Sequence, residues 1–219
     1  MTPRRPAAVL FDCDGVLADS EMLVNAIVAE DLTSRGWPLT AEASKDAFMG
    51  LSWPDMVPLV EAKVGRLPSE WPSLIAGRIA EEVARDVPAI PGAREAVAAI
   101  AAAGLPIAVA SNAGRRELLA KLGALGLRDA FGERVFSFQD VPRPKPHPDI
   151  YVAAAASCGA ASRDCVVIED SAVGTRAGVA AGCRVLGFAH DTPALDLLEA
   201  GAAETFTDMA ALPRLIGIA

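Results

Sequence analysis

Residues 9–21 read VLFDCDGVLADSE. Two aspartates, Asp12 and Asp14, stand one residue apart at the end of an apolar run, with Gly15 directly behind them and Asp19 following. In an extended chain, residues i and i+2 point to the same side, so both carboxylates can face one space while Cys13 turns away from it. Gly15 permits a sharp turn and lets backbone amides approach an anion. One carboxylate placed this way can attack phosphorus and form an aspartyl phosphate. Its neighbour can give a proton to the leaving oxygen and later take one from water.

The same arrangement recurs further along the chain. The run IAVA ends at Ser111–Asn112, VVI ends at Glu169–Asp170, and Lys145 lies in RPKPHP after RVFSF. If these apolar runs are strands of one parallel sheet, their polar ends converge on one edge. Carboxylates crowded there repel one another where solvation is poor, unless a cation sits between them. Oxygen-only ligands suit Mg²⁺, which makes Asp12, Asp170 and Glu169 candidate ligands. A single acid of this kind could equally cap a helix; acids after two strands, together with Lys145 and Ser111, favour a site.

The elements that must carry these residues are legible from periodicity. AAVLF (7–11), PIAVAS (106–111), RVFSF (134–138), CVVIED (165–170) and CRVLGF (183–188) predict short buried strands. They alternate with predicted helices at 91–104, 112–126, 148–159 and 171–182, the first with Pro91 near its start and Gly104 at its end. Alternation of this kind predicts a Rossmann-like, doubly wound parallel sheet with helices on both faces. Residues 17–88 break the pattern. They carry helical periods, all three tryptophans and several prolines, and predict a helical module inserted after the first strand, above the sheet edge where α/β folds bind ligands. The expected division is a core of residues 1–16 plus 89–219 and an insert of 17–88.

Composition narrows the function classes. The chain has 219 residues, is 52% hydrophobic and 22% charged, and carries a formal net charge of −8, which argues against a nucleic-acid partner. No stretch reads as a membrane span, and the apolar run after MTPRRP is too short for a signal-peptide core. The four cysteines form no CxxC or zinc spacing, so they read as buried small residues in a reducing cytoplasm. A monomer is the expected state.

Together, DxDGxxxDS at 12–20, Ser111–Asn112, Lys145 in KPHPDIY and EDSxxG at 169–174 resemble the four motifs of the haloacid dehalogenase superfamily. The closest likeness is to its β-phosphoglucomutase-like and sugar-phosphate phosphatase branch, whose helical cap the insert resembles. The resemblance implies Asp12 as nucleophile and Mg²⁺ ligand. Asp14 would be the acid/base and would offer its backbone carbonyl to the metal. Ser111 and the Asn112 amide would hold phosphoryl oxygens, and Lys145 would neutralise charge. Asp170 would ligate the metal, with Glu169 as a direct or supporting partner.

Asp14 favours phosphoryl transfer over dehalogenation, because halide leaves without a proton. The hexose-phosphate mutases of this branch carry a His where Val24 stands and basic residues where Met49 and Trp53 stand, so water attack is expected. The implied enzyme is a Mg²⁺-dependent phosphatase acting on a small-molecule phosphate ester, a sugar phosphate or phosphorylated sugar acid. The alternatives are a phosphomutase and a phosphate-sensing pseudoenzyme. In the insert, Gly50, Leu51, Ser52 and Trp53 are expected to dip toward the site, with Gly50 and Trp53 contacting substrate. Trp53 could instead belong to the insert's own core. Lys63, Arg66 and Arg78 read as solvated cations, and His147 and His190 as bystanders.

Overall fold

The structure is a computed structural model that describes residues 5–49 and 51–218. Its strands are β1 (Ala8–Phe11), β2 (Ile107–Ser111), β3 (Val135–Ser137), β4 (Cys165–Glu169), β5 (Arg184–Phe188) and β6 (Glu204–Phe206). They form one sheet in the order β3-β2-β1-β4-β5-β6, and every pairing is parallel. The chain winds outward from β1 in both directions, which leaves the carboxyl ends of β1, β2 and β4 side by side at the switch point.

The strands hold their places because alternate residues feed two separate cores. Val9 and Phe11 of β1, Val109 of β2 and Ile168 of β4 face one apolar cluster. Ala8 and Leu10, Ala108 and Ala110, and Val167 face the other. Alanines on the second face let helix α8 (Asp149–Ser157) approach closely through its own Ala154 and Ala155. The remaining core helices are α5 (Ala93–Ala102), α6 (Arg115–Ala124), α7 (Arg128–Phe131), α9 (Ala172–Ala180), α10 (Ala194–Glu199) and α11 (Leu212–Leu215). The predicted third and fourth strands are trimmed, since Phe138 opens a 3-10 turn and Asp170 leaves the sheet.

Helices α1 (Glu21–Ser34), α2 (Ala41–Phe48), α3 (Trp53–Val64) and α4 (Trp71–Arg85) form the inserted cap. Trp71 is fully buried among them, and its indole N–H donates to Asp31 at 2.6 Å. Trp53 meets the Trp71 ring edge-on at 5.7 Å. The two connections between cap and core run side by side: Asp19 N–H donates to the Pro88 carbonyl and Ile90 N–H to the Leu17 carbonyl, and Ala18 and Ala89 form an antiparallel bridge. The apolar cluster on that face of the sheet continues into the cap through Ile27, Met56 and Ile79. Among the described residues, no helix is long and apolar enough to cross a membrane.

Candidate active site

Asp12 leaves β1 with its N–H still bonded to the Ile168 carbonyl at 2.9 Å. The pleat sends Phe11 and Cys13 into the core, while Asp12 and Asp14 face a cleft between core and cap. Gly15 has φ +73°, and a Cβ on it would stand 1.9 Å from an Asp170 carboxylate oxygen. Only glycine lets the first loop pass this close to the end of β4. Gly174 plays the same part on the other side, where a Cβ would collide with the Glu169 carboxylate.

Lys145 reaches in from the loop after β3. Its Nζ lies 2.5 Å from Asp12 Oδ1 and 2.7 Å from Glu169 Oε1, at 3% exposure. The Asn112 side chain holds that loop by its backbone: Oδ1 accepts from the Lys145 N–H at 3.0 Å, and Nδ2 donates to the Lys145 carbonyl at 3.1 Å. Glu169 is fully buried and accepts five hydrogen bonds. Lys145 and Tyr151 Oη donate to one oxygen, and the Asp170 N–H, Ser171 N–H and Ser171 hydroxyl donate to the other.

Asp12, Glu169 and Asp170 each offer an oxygen within 4.8 Å of the others, a set that could hold a metal ion. Burial, helped by the Glu169 and Asp14 charges, pushes the Asp12 carboxyl up to about 8 against the opposing charge of Lys145. Burial also pushes Asp170 well above the carboxylate range, helped by the charges of Asp12 and Glu169. Buried acids with this much proton affinity suit a divalent cation, and the all-oxygen donor set fits a hard one.

Asp14 sits differently. Its oxygens accept from Ser20 Oγ at 2.5 Å, from Ser111 Oγ at 3.2 Å and from Lys121 Nζ. Burial raises its carboxyl, but the Lys121 charge and these three hydrogen bonds together hold it below its ordinary value. Lys121 is itself bonded to Glu117 at 2.5 Å, and both are buried. Sequence reasoning missed this pair. Its signal was a charged i, i+4 couple on α6 sharing a face with Leu118 and Leu122, a pattern that ordinarily marks a solvated surface. Asp19 is exposed; the residue of that turn that reaches the site is Ser20.

From the cap, Val24, Val28, Phe48, Met49, Leu51 and Trp53 line the cleft opposite these groups. Trp53 packs on Trp71 and also faces the cleft. Gly50 lies outside the described residues. Ser52 is buried and donates to Asp55 rather than to the cleft. Arg78 pairs with Glu30, Lys63 lies over the Trp37 ring, and neither they nor Arg66 line the cleft. His190 stacks on Phe188 and His147 is exposed; both are outside the lining. The cleft is partly open to solvent between the core and cap walls.

Comparison with known proteins gives a consistent picture. A family model described as haloacid dehalogenase-like hydrolase matches residues 6–182. The 6-phosphogluconate phosphatase of Escherichia coli K12 is 28% identical over 213 residues, covering 96% of this chain and 95% of that protein. Hexitol phosphatase B of the same organism is 34% identical over 189 residues, covering 84% and 83%. A solved HAD family hydrolase from Deinococcus radiodurans R1, with bound phosphate and sodium, superposes with a TM-score of 0.75 at 35% identity, covering 97% of this chain and 94% of that one.

Proposed function

The chain belongs to the haloacid dehalogenase-like hydrolases and is a phosphatase, and from that premise we propose that it hydrolyses a small sugar-type phosphomonoester through an aspartyl phosphate on Asp12, with Mg²⁺ as cofactor. The observation that carries this reading is the Lys145 ammonium 2.5 Å from Asp12, with Asp14 two residues on, facing the same cleft. Asp12 attacks phosphorus from its carboxylate oxygen, and the ester P–O bond breaks. Asp14 gives its proton to the departing alkoxide. Water then attacks phosphorus, Asp14 takes the water's proton, and the bond to Asp12 breaks to release phosphate and restore the carboxylate.

Lys145 opposes the upward push of burial on the Asp12 carboxyl and offsets charge on the transferring group. Removing one such donor costs about 10²–10³ in rate. The Ser111 hydroxyl and the Asn112 backbone amide bind phosphoryl oxygens, while the Asn112 side chain fixes the Lys145 loop. The Asp12 and Asp170 carboxylates and the Asp14 backbone carbonyl would hold Mg²⁺, which when bound neutralises and aligns the phosphoryl oxygens. Glu169, with both oxygens already engaged, acts as a positioning residue behind Lys145 and Asp170.

Hydrolysis is favoured over phosphomutase chemistry because Val24, which offers neither acid nor base, lines the cleft. The four free cysteines suit a reducing cytoplasm, and the mechanism needs no second copy of the chain.

Phosphate release from p-nitrophenyl phosphate and a panel of sugar phosphates tests the reading. Release is expected with Mg²⁺ and lost with EDTA or in Asp12→Asn. Release that persists in Asp12→Asn, or bisphosphate-primed isomerisation of β-glucose 1-phosphate, would overturn it.

A further inference from the structure

The charges lining the cleft are strongly unequal. Five carboxylates face it: Asp12, Asp14, Glu21, Glu117 and Asp170. Among the described residues that line it, the only cations are Lys145 and Lys121. Each of these ammonium groups is already held between two carboxylates. Lys145 is bonded to Asp12 and Glu169, and Lys121 to Asp14 and Glu117. Lys45 of the cap approaches from α2, but it is bound to Glu21 at 2.7 Å and to Asp191. Asn25 has its amide engaged with the Glu21 carbonyl and the Ser44 hydroxyl.

Beyond the phosphoryl position, the space for the leaving group therefore offers two kinds of partner. One is a set of hydrogen-bond acceptors, the Glu21 and Glu117 carboxylates. The other is carbon surface from Val24, Leu51 and Trp53. Hydroxyl groups donate to carboxylates, and the C–H faces of a sugar or polyol pack on aliphatic and aromatic side chains. Among the described residues that line the cleft, a carboxylate on the substrate would meet no cation free of carboxylates, and it would lie beside groups of its own sign.

We propose that the esters taken by this site have uncharged, hydroxyl-bearing leaving groups, sugar or polyol phosphates, and that Glu117 and Glu21 exclude phosphorylated sugar acids. This rests on the phosphatase reading and narrows it. Glu117 and Glu21 act as specificity-determining residues by adding negative charge to the cleft lining and, for Glu117, by helping to occupy Lys121. The inference departs from what the name of the 6-phosphogluconate phosphatase relative would suggest for this chain.

The test is kcat/KM on matched pairs that differ by one oxidised carbon, glucose 6-phosphate against 6-phosphogluconate and glycerol 3-phosphate against 3-phosphoglycerate. p-Nitrophenyl phosphate serves as control for the phosphatase reading itself. The neutral member is expected to exceed the acid at least about tenfold in each pair hydrolysed, which corresponds to about 1.4 kcal/mol in the transition state. Glu117→Gln and, independently, Glu21→Gln, each checked for folding by circular dichroism, are expected to shift that ratio toward the acid. Equal or better use of the acid overturns the inference and leaves the phosphatase reading standing, as does hydrolysis of p-nitrophenyl phosphate alone. A ratio unmoved in both folded variants removes the assignment to these glutamates. No release from any ester overturns the phosphatase reading, and the inference with it.

Discussion

The two walls of the cleft are built by different means. On the core wall, Asp12, Lys145, Glu169 and Asp170 are each less than a tenth exposed, and direct hydrogen bonds link them through Lys145 and Glu169. Each position comes from a strand end or from a loop clamped to one. On the cap wall, Val24, Val28, Phe48 and Trp53 meet the cleft as the edge of a helical core whose centre is Trp71. A network of buried charges tolerates little change, since removing one partner strands the other. An apolar wall can exchange side chains of similar volume at small cost. One wall is suited to fixed chemistry and the other to adjustable recognition.

The largest expected effect belongs to the core wall. Asp14→Asn keeps the shape but cannot move a proton, and should lower kcat by about 10²–10⁴-fold. The loss should be similar for every ester whose leaving group needs protonation. Steady-state rates on several sugar phosphates check this. A loss confined to one ester would move Asp14 from chemistry to recognition and break the comparison.

Metal binding should come next, and its pH dependence follows from the buried acids. The Asp12 carboxyl is raised to about 8 and Asp170 well above its ordinary value, against about 3.9 in an unfolded chain. The folded protein without metal therefore holds protons that the unfolded chain has released. Stability from these two groups is fully present below about pH 4 and is lost as pH rises toward 8. Mg²⁺ binds the ionised acids, so its stabilisation should grow across the same window. At a hundredfold excess over Kd it should reach about 2.7 kcal/mol, which for a chain of this size raises Tm by roughly 2–4 °C per kcal/mol. Melting curves with Mg²⁺ and with EDTA at pH 5 and pH 8 measure it. Equal increments at the two pH values would count against these acids as the metal site.

The smallest of the three effects lies on the cap wall. Trp53→Ala removes a half-buried ring that touches both Trp71 and the cleft. It should raise KM for a sugar phosphate by about tenfold, about 1.4 kcal/mol, while leaving kcat nearly unchanged. Comparing KM and kcat for a sugar phosphate and for p-nitrophenyl phosphate sharpens the comparison. An equal fall in kcat for both esters would show that the cap wall also shapes the chemistry.

What the sequence determined by itself was five of the six strands and the residues at their carboxyl edge; the edge strand β6 (Glu204–Phe206), with only Phe206 buried, carries no apolar run to announce it. Strand alternation and buried apolar runs are local patterns, and in a parallel sheet a polar residue at the end of such a run has one place to go. Asp12, Asp14, Ser111, Lys145, Glu169 and Asp170 were legible for that reason. Tertiary structure decided the rest. An i, i+4 pair such as Glu117 and Lys121 looks the same on a solvated helix face and on one turned beneath Asp14. The choice depends on how α6 docks between the sheet and α4. The grip of Asn112 on the Lys145 backbone and the bond from Tyr151 to Glu169 join residues 33 and 18 positions apart, and no local period announces them. The double role of Trp53, and the pairing of Lys45 with Glu21 and Asp191 across the cap and core, exist only once the two parts of the chain are brought together. The charge balance of the cleft, and with it the choice of leaving group, is set by that docking.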